Sequence, residues 1–162
     1  MIRRLTPDDA GRLVELLLAN RESHARYEPD HSDGFYTIAA QRERIGANEH
    51  LYGIVDVDGD LAGIVSLSNL VRGPFRSANV GYWVDDGRRG RGLATGAVHD
   101  VAELAFVELG LHRLEAATLV DNLASQRVLE KARFTRIGLA PRYLRIAGAW
   151  RDHVLFQRTV ED

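Results

Sequence analysis

Residues 79–110 read NVGYWVDDGRRGRGLATGAVHDVAELAFVELG, and the way this stretch divides into strand, turn and helix decides the fold. Asn79–Val84 reads as a strand, with an aromatic pair, Tyr82 and Trp83, that must point to opposite faces. Gly87 to Gly92 is a turn of glycine and arginine. From about Leu93 to Leu109 the residues Ala94, Ala97, Val98, Val101, Ala105 and Leu109 recur at helical spacing, and Gly110 follows as a C-cap. A glycine-lined turn that opens a helix leaves backbone N–H groups free at the positive end of the helix dipole. Arg88, Arg89 and Arg91 stand in the same turn, so it reads as a site for a phosphate or diphosphate.

Working outward, Ile2–Leu5 is a short strand, and Thr6-Pro7-Asp8-Asp9 opens a helix running to about Asn20. Glu22 to Gly34 is polar and turn-rich, and Phe35–Asn48 reads as a second helix. Leu51–Val57 and Leu61–Leu70 flank Asp58-Gly59-Asp60, a hairpin signal. Beyond the central stretch, Arg113–Leu119 is a strand, Asp121-Asn122 caps a helix to about Ala132, and Phe134–Leu139, Tyr143–Ile146 and His153–Val160 are closing strands. A helix between two strands makes a right-handed crossover, so those two strands should be parallel within an otherwise antiparallel sheet. The expected fold is α+β with three layers: a mixed central sheet of about seven strands and helices on both faces. With no linker or repeat, residues 1–162 are drawn as a single domain.

A net charge of -2 argues against a nucleic-acid binder held by bulk charge. The absence of cysteine excludes disulfides, thiolate metal sites and an acyl-cysteine intermediate. The six histidines lack ligand spacing, so no metal is expected. Ile-Arg-Arg-Leu after Met1 is too short an apolar run for a signal peptide, and no run approaches membrane-spanning length; a cytoplasmic protein is the expectation.

Three phosphate ligands compete for the turn. Gly87 and Gly92 have Walker A spacing, but Leu93-Ala94 follow instead of lysine and a hydroxyl residue, which rejects a nucleoside triphosphate. Gly90-Arg91-Gly92 supplies two glycines of a dinucleotide fingerprint, and Glu115 lies where a ribose-binding acid would. Thr95 occupies the third glycine position, which leaves this reading a runner-up. The third ligand is acyl-CoA. Arg89-Gly90-Arg91-Gly92-Leu93-Ala94 matches the Gln/Arg-x-x-Gly-x-Gly/Ala signature of the GNAT superfamily of N-acyltransferases. Its context is GYWV at 81–84, AFVELGLHRLEA at 105–116, DNLASQRVLEKARF at 121–134 and GAWRDH at 148–153. Together these resemble the Rim-type (RimJ and RimL) ribosomal-protein N-terminal acetyltransferases over nearly the whole chain.

The resemblance implies an acetyl-CoA cosubstrate and a sheet splayed at its centre. The N–H groups from Arg89 to Thr95 would cradle the diphosphate, with Arg88, Arg89 and Arg91 adding charge. The pantetheine arm would lie along Tyr82, Trp83 and Val84, and a main-chain N–H there would polarise the thioester carbonyl. Asn122 would contact the cofactor and Ser125 would place its hydroxyl beside the sulfur, although both also suit simple helix capping. Many relatives carry a carboxylate where this chain has Asn79, which can hold a water but cannot act as a base. His24, Tyr27 and Glu28, with Asp30 and His31 nearby, are drawn at the acceptor side, as are Asn79, Tyr143 and Trp150. The acceptor implied is the α-amine of a protein or peptide N-terminus. Deprotonating an α-amine of pKa ~7.8 at pH 7 costs about 1 kcal/mol, against about 4.6 for lysine at ~10.4. A small-molecule amine such as an antibiotic or polyamine is the alternative, served by acids at Glu28, Asp30 and Asp33, and a non-catalytic acyl-CoA-binding protein is a second. No nucleic-acid or membrane partner is implied, and a homodimer stays open.

Overall fold

Seven strands hydrogen-bond into one mixed sheet in the computed structural model, which describes residues 1–160. The strands are β1 (Ile2–Arg4), β2 (Leu51–Val55), β3 (Leu61–Val71), β4 (Ser77–Val84), β5 (Arg113–Leu119), β6 (Thr135–Ile146) and β7 (Ala149–Thr159). The helices are α1 (Ala10–His24), α2 (Ile38–Ala47), α3 (Leu93–Val107) and α4 (Leu123–Lys131). The spatial order is β1-β2-β3-β4-β5-β7-β6, and every neighbouring pair is antiparallel except β4 with β5. The expected crossover through α3 accounts for that parallel pair.

Strand alternation sorts the apolar side chains into two layers. Ile54, Val65, Ala78, Val80, Leu114 and Phe156 face α3 and α4, where Ala97, Val98, Val101, Ala105 and Leu129 close on them. Leu51, Leu61 and Ile64 face Leu13, Leu16, Leu17 and Ile45 of α1 and α2. Adjacent residues of one strand therefore serve different layers. Tyr82 packs on the first and Trp83 on the second.

Several boundaries differ from the sequence expectation: β7 begins at Ala149 rather than His153, directly after the turn, and three others have a local cause. Helix α1 continues past Asn20 to His24; Asn20 is buried within it, its side-chain amide donating to the Leu16 carbonyl (2.8 Å). The second helix starts later, at Ile38, after a 3₁₀ turn at Asp33–Tyr36; the Thr37 hydroxyl caps it by accepting the Ala40 N–H. The strands expected on either side of Pro141 are one strand, β6. It bulges between Ala140 and Leu144, where Arg142 has φ 49°, and as an edge strand it tolerates the proline. Ala147 and Gly148, both with positive φ, turn it into β7.

The feature that positions the site is the β4–β5 pairing. It holds only from Ser77–Asn79 to Arg113–Glu115. Beyond it, Val80–Val84 stays paired with β3 while Ala116–Leu119 stays paired with β7, and the sheet parts between them.

Candidate active site

The turn after β4 is built for an anion by its backbone. Asp85 donates its N–H to the Ala62 carbonyl (2.8 Å), a 3₁₀ turn follows at Asp86–Arg88, and α3 begins at Leu93. Gly90 (φ 76°) and Gly92 (φ 78°) adopt the left-handed conformation that side chains resist, and a Cβ at either would point into open space. Among the described residues, no chain atom accepts from the N–H groups of Gly90 to Thr95. Gly90, Gly92, Leu93, Ala94 and Thr95 line the gap in the sheet.

The arginines of the turn are otherwise engaged. Arg88 bridges Asp56 (3.0 Å) and Asp60 (2.6 Å), Arg91 reaches Asp56 (2.9 Å), and Arg89 pairs with Asp86. A backbone N–H from Val57 first, helped by Arg88 and Arg91, holds the Asp56 carboxyl below its usual range against the opposing effect of burial. The β2–β3 hairpin thus clamps the turn from behind. Cations without a carboxylate partner among the described residues stand across the gap, Arg127 and Lys131 of α4, four residues apart on one helix face. The sequence marks the segment after Arg127 as basic, but nothing local ties it to the distant Arg88–Arg91 turn.

The gap is a cleft of about 630 Å³ that runs through the sheet. On the α3/α4 face, the Tyr82 hydroxyl lies 2.7 Å from Ser125 Oγ and 3.2 Å from the Ser125 carbonyl. Burial pushes the Tyr82 phenol up to about 12, partly offset by the hydrogen bond with Ser125, so it is a neutral donor at physiological pH. Asn122 caps α4, its side-chain oxygen accepting the Ser125 N–H (3.2 Å). Both Asn122 and Ser125 line the cleft.

On the α1/α2 face the cleft is lined by His24, Tyr27, Glu28 and Trp83. His24 ends α1 and is 8% exposed. Its Nε2 lies 3.4 Å from the Asp86 carboxylate, its Nδ1 3.9 Å from Glu28, and its ring meets Trp83 edge-on at 5.4 Å. Asp86 is held low: burial works against the charge, but the Ser23 hydroxyl, Arg89 and His24 together outweigh it. Asn20, 1% exposed, joins this corner to the phosphate turn. Its amide donates to Asp85 (2.8 Å) and its oxygen accepts the Asp86 N–H (2.8 Å). The sequence read Asn20 as a helix end, and nothing local signals a contact 65 residues away.

Of the residues picked from sequence, His24, Tyr27, Glu28, Tyr82, Trp83, Val84, Arg88, Arg89, Gly90, Gly92, Leu93, Ala94, Thr95, Asn122 and Ser125 are brought together around the cleft. Arg91 points back to Asp56. Asn79 sits below the split, where β4 is paired on both sides. Tyr143 lies against the His153 ring at 5.6 Å, and Trp150, 63% exposed, lines a separate depression with Leu119–Asp121. His31 is stacked on Phe35 and Asp33 is paired with Arg21 (2.7 Å). No group of three metal-ligating side chains exists among the described residues, and no described helix is long and apolar enough to cross a membrane.

Comparison with known proteins places these features in context. The family model described as the acetyltransferase (GNAT) domain matches residues 1–135. The chain is 38% identical over 161 residues to the probable N-acetyltransferase YjcK of Bacillus subtilis, covering 94% of this chain and 89% of that protein. It is 29% identical over 172 residues to the ribosomal protein uS5-alanine N-acetyltransferase of Escherichia coli, covering 100% and 89%. Among solved structures, the ribosomal-protein-S5-alanine acetyltransferase of Vibrio fischeri superposes with a TM-score of 0.93 at 31% identity, covering 99% of this chain and 93% of that one. RimJ of Mycobacterium smegmatis, solved in complex with CoA-disulfide, gives 0.90 at 30% identity, covering 98% and 81%.

Proposed function

Because the chain belongs to the GNAT family of acetyltransferases, we propose that it transfers acetyl from acetyl-CoA to the N-terminal α-amine of a protein or peptide, by direct attack on the thioester. The observation that carries this reading is the split between β4 and β5. One side of the slot presents free backbone amides and a tyrosine–serine pair. The other presents a histidine and a carboxylate. A thioester entering from the α3/α4 face can therefore meet an amine entering from the α1/α2 face.

In this reading the Gly90–Thr95 amides hold the diphosphate at the N-terminus of α3, with Arg127 and Lys131 supplying charge across the mouth. The unpaired edge of β4 beside the slot takes the pantetheine amides as a sheet takes an added strand. The amine nitrogen attacks the acetyl carbon, the C–N bond forms and the C–S bond breaks. Ser125 donates to the departing sulfur, and Tyr82 can replenish that proton. Direct transfer is the only simple route, since the chain has no cysteine to carry the acetyl group.

The cleft also bears on the acceptor. Of the acids drawn at the acceptor side, Glu28 lines the slot and Asp33 is paired elsewhere. Asp30 is exposed and does not line the slot, and a single lining carboxylate among these three suits one ammonium better than a polyamine. The names of the uS5-alanine relatives point the same way. The chain acts as one domain, in the cytoplasm and without a metal.

The test is CoA release from acetyl-CoA, with product mass, across free N-terminal peptides, N-blocked lysine peptides, polyamines and aminoglycosides. Turnover on free peptide N-termini is expected. Turnover on polyamines alone would reassign the acceptor, and CoA binding without turnover would make the chain a binding protein.

A further inference from the structure

Asn79 carries no basic group and sits below the split, where β4 is paired on both sides, so it cannot take a proton from an amine in the cleft. We propose that His24 is the base that takes the acceptor's ammonium proton, with Asp86 as its positioning residue. The inference rests on the acetyltransfer reading above and names a residue that reading leaves unassigned.

The geometry supplies each part a base needs. His24 lines the cleft on the face opposite Ser125, so the proton acceptor and the thiol's donor stand on the two sides of the split strand. Its ring is fixed rather than free: Trp83 meets it edge-on, and Trp83 belongs to the stretch of β4 that borders the thioester path. Nε2 faces Asp86 at 3.4 Å, leaving Nδ1, on the Glu28 side at 3.9 Å, as the edge nearer an incoming amine. Asp86 is in turn anchored by Asn20 through its backbone N–H and by Arg89. The charged groups around the ring are thus Glu28 on the segment after α1 and Asp86 after β4. Arg89 lies behind Asp86, and Arg44 of α2 acts on Glu28. The ring stands between two carboxylates at the C-terminal end of α1.

The proton balance is simple. His24 takes one proton from the bound ammonium and later releases it to solvent. The neutral amine attacks the thioester carbon, and the tetrahedral adduct expels the thiolate. The second amine proton is lost from the adduct, and one proton reaches sulfur through Ser125. The products are the N-acetyl amine, CoA as a thiol, and one proton in solution.

The test is kcat/KM for a peptide N-terminus as a function of pH, in wild type and His24→Gln, with acetyl-CoA affinity measured on both. The deficit of the variant should be tenfold or more at pH 7 and shrink to about twofold by pH 9, because an α-amine of pKa ~7.8 then loses its proton to solvent unaided. A deficit of equal size at every pH, or none, overturns the proposal and returns His24 to packing against Trp83. Should His24→Gln fail to bind acetyl-CoA, Asp86→Asn reads the same relation. A smaller deficit that closes with pH supports the proposal, and a flat profile overturns it. Wild-type silence on peptides would instead overturn the acetyltransfer reading beneath it.

Discussion

The two faces of the split sheet solve different problems with different kinds of residue. The α3/α4 face, which we assign to the donor, is built from backbone: free amides from Gly90 to Thr95, a left-handed pair of glycines, and one hydroxyl pair, Tyr82 with Ser125. The α1/α2 face, assigned to the acceptor, is built from side chains reaching over long separations: Asn20 to Asp85 and Asp86, His24 to Asp86, and Trp83 against His24. A diphosphate is the same in every turnover and can be met by a fixed backbone cradle. An amine must be recognised and deprotonated, which takes titratable side chains. Damage to one face should therefore appear in CoA binding, and damage to the other in acceptor kinetics.

The sharpest break is Gly92→Val. Its φ of 78° costs a branched residue about 1–2 kcal/mol in the backbone, and the new side chain projects into the open mouth of the turn. CoA affinity should fall by about 100-fold or more, measured by calorimetry. Unchanged affinity would move the diphosphate away from this turn. Next is Ser125→Ala, which should lower kcat by about 10- to 100-fold while acetyl-CoA affinity stays within about threefold. Wild-type turnover there would leave Ser125 as a residue in the first turn of α4, where its N–H meets Asn122.

The same contrast explains what could be read from sequence. The donor face is local: Arg89-Gly90-Arg91-Gly92-Leu93-Ala94 is contiguous, and Asp121–Ser125 is one helix start, so short-range patterns disclose them. So is the parallel pairing through α3, which follows from crossover handedness. The acceptor face is not local. Asn20 looked like a helix terminator because nothing nearby announces Asp85 and Asp86 as its partners. The arginines of the turn looked available because the three aspartates that hold Arg88 and Arg91, Asp56, Asp58 and Asp60, lie on a hairpin 28 to 35 residues earlier. Pro141 looked like a strand break because sequence does not say that β6 is an edge.

Asn20→Ala tests whether the two faces are mechanically joined. The change removes the donors and acceptor that fasten α1 to Asp85 and Asp86 and leaves the half-buried Asp86 N–H unpaired, a loss of about 1–3 kcal/mol by denaturant unfolding. Because Asp86 opens the phosphate turn and also orients His24, both peptide KM and CoA affinity should worsen, each by less than the direct substitutions above. An effect on the peptide alone would show that the turn holds its shape without α1.

The smallest effect is at the far end of α1 and separates the anchoring of that helix from its chemistry. Arg3 on β1 grips Asp9 with two hydrogen bonds (2.9 and 2.7 Å), and the Thr6 N–H adds a third (2.8 Å). The Arg3 hydrogen bonds, ahead of the opposing effect of burial, lower Asp9 from 3.8 to about 2. A carboxylate depressed by folding contributes stability that is complete above its unfolded pKa and disappears as pH falls through the folded one. The window is therefore pH 4 down to about 2. The Arg3 side chain is well exposed, so solvent screening limits the contribution to about 1 kcal/mol or less. Asp9→Asn should flatten the acid limb of the stability–pH curve in that window and leave acetyl transfer at neutral pH within about twofold of wild type. If neutral-pH activity fell tenfold, the acceptor face would depend on how α1 is anchored at its start as well as on where His24 stands at its end.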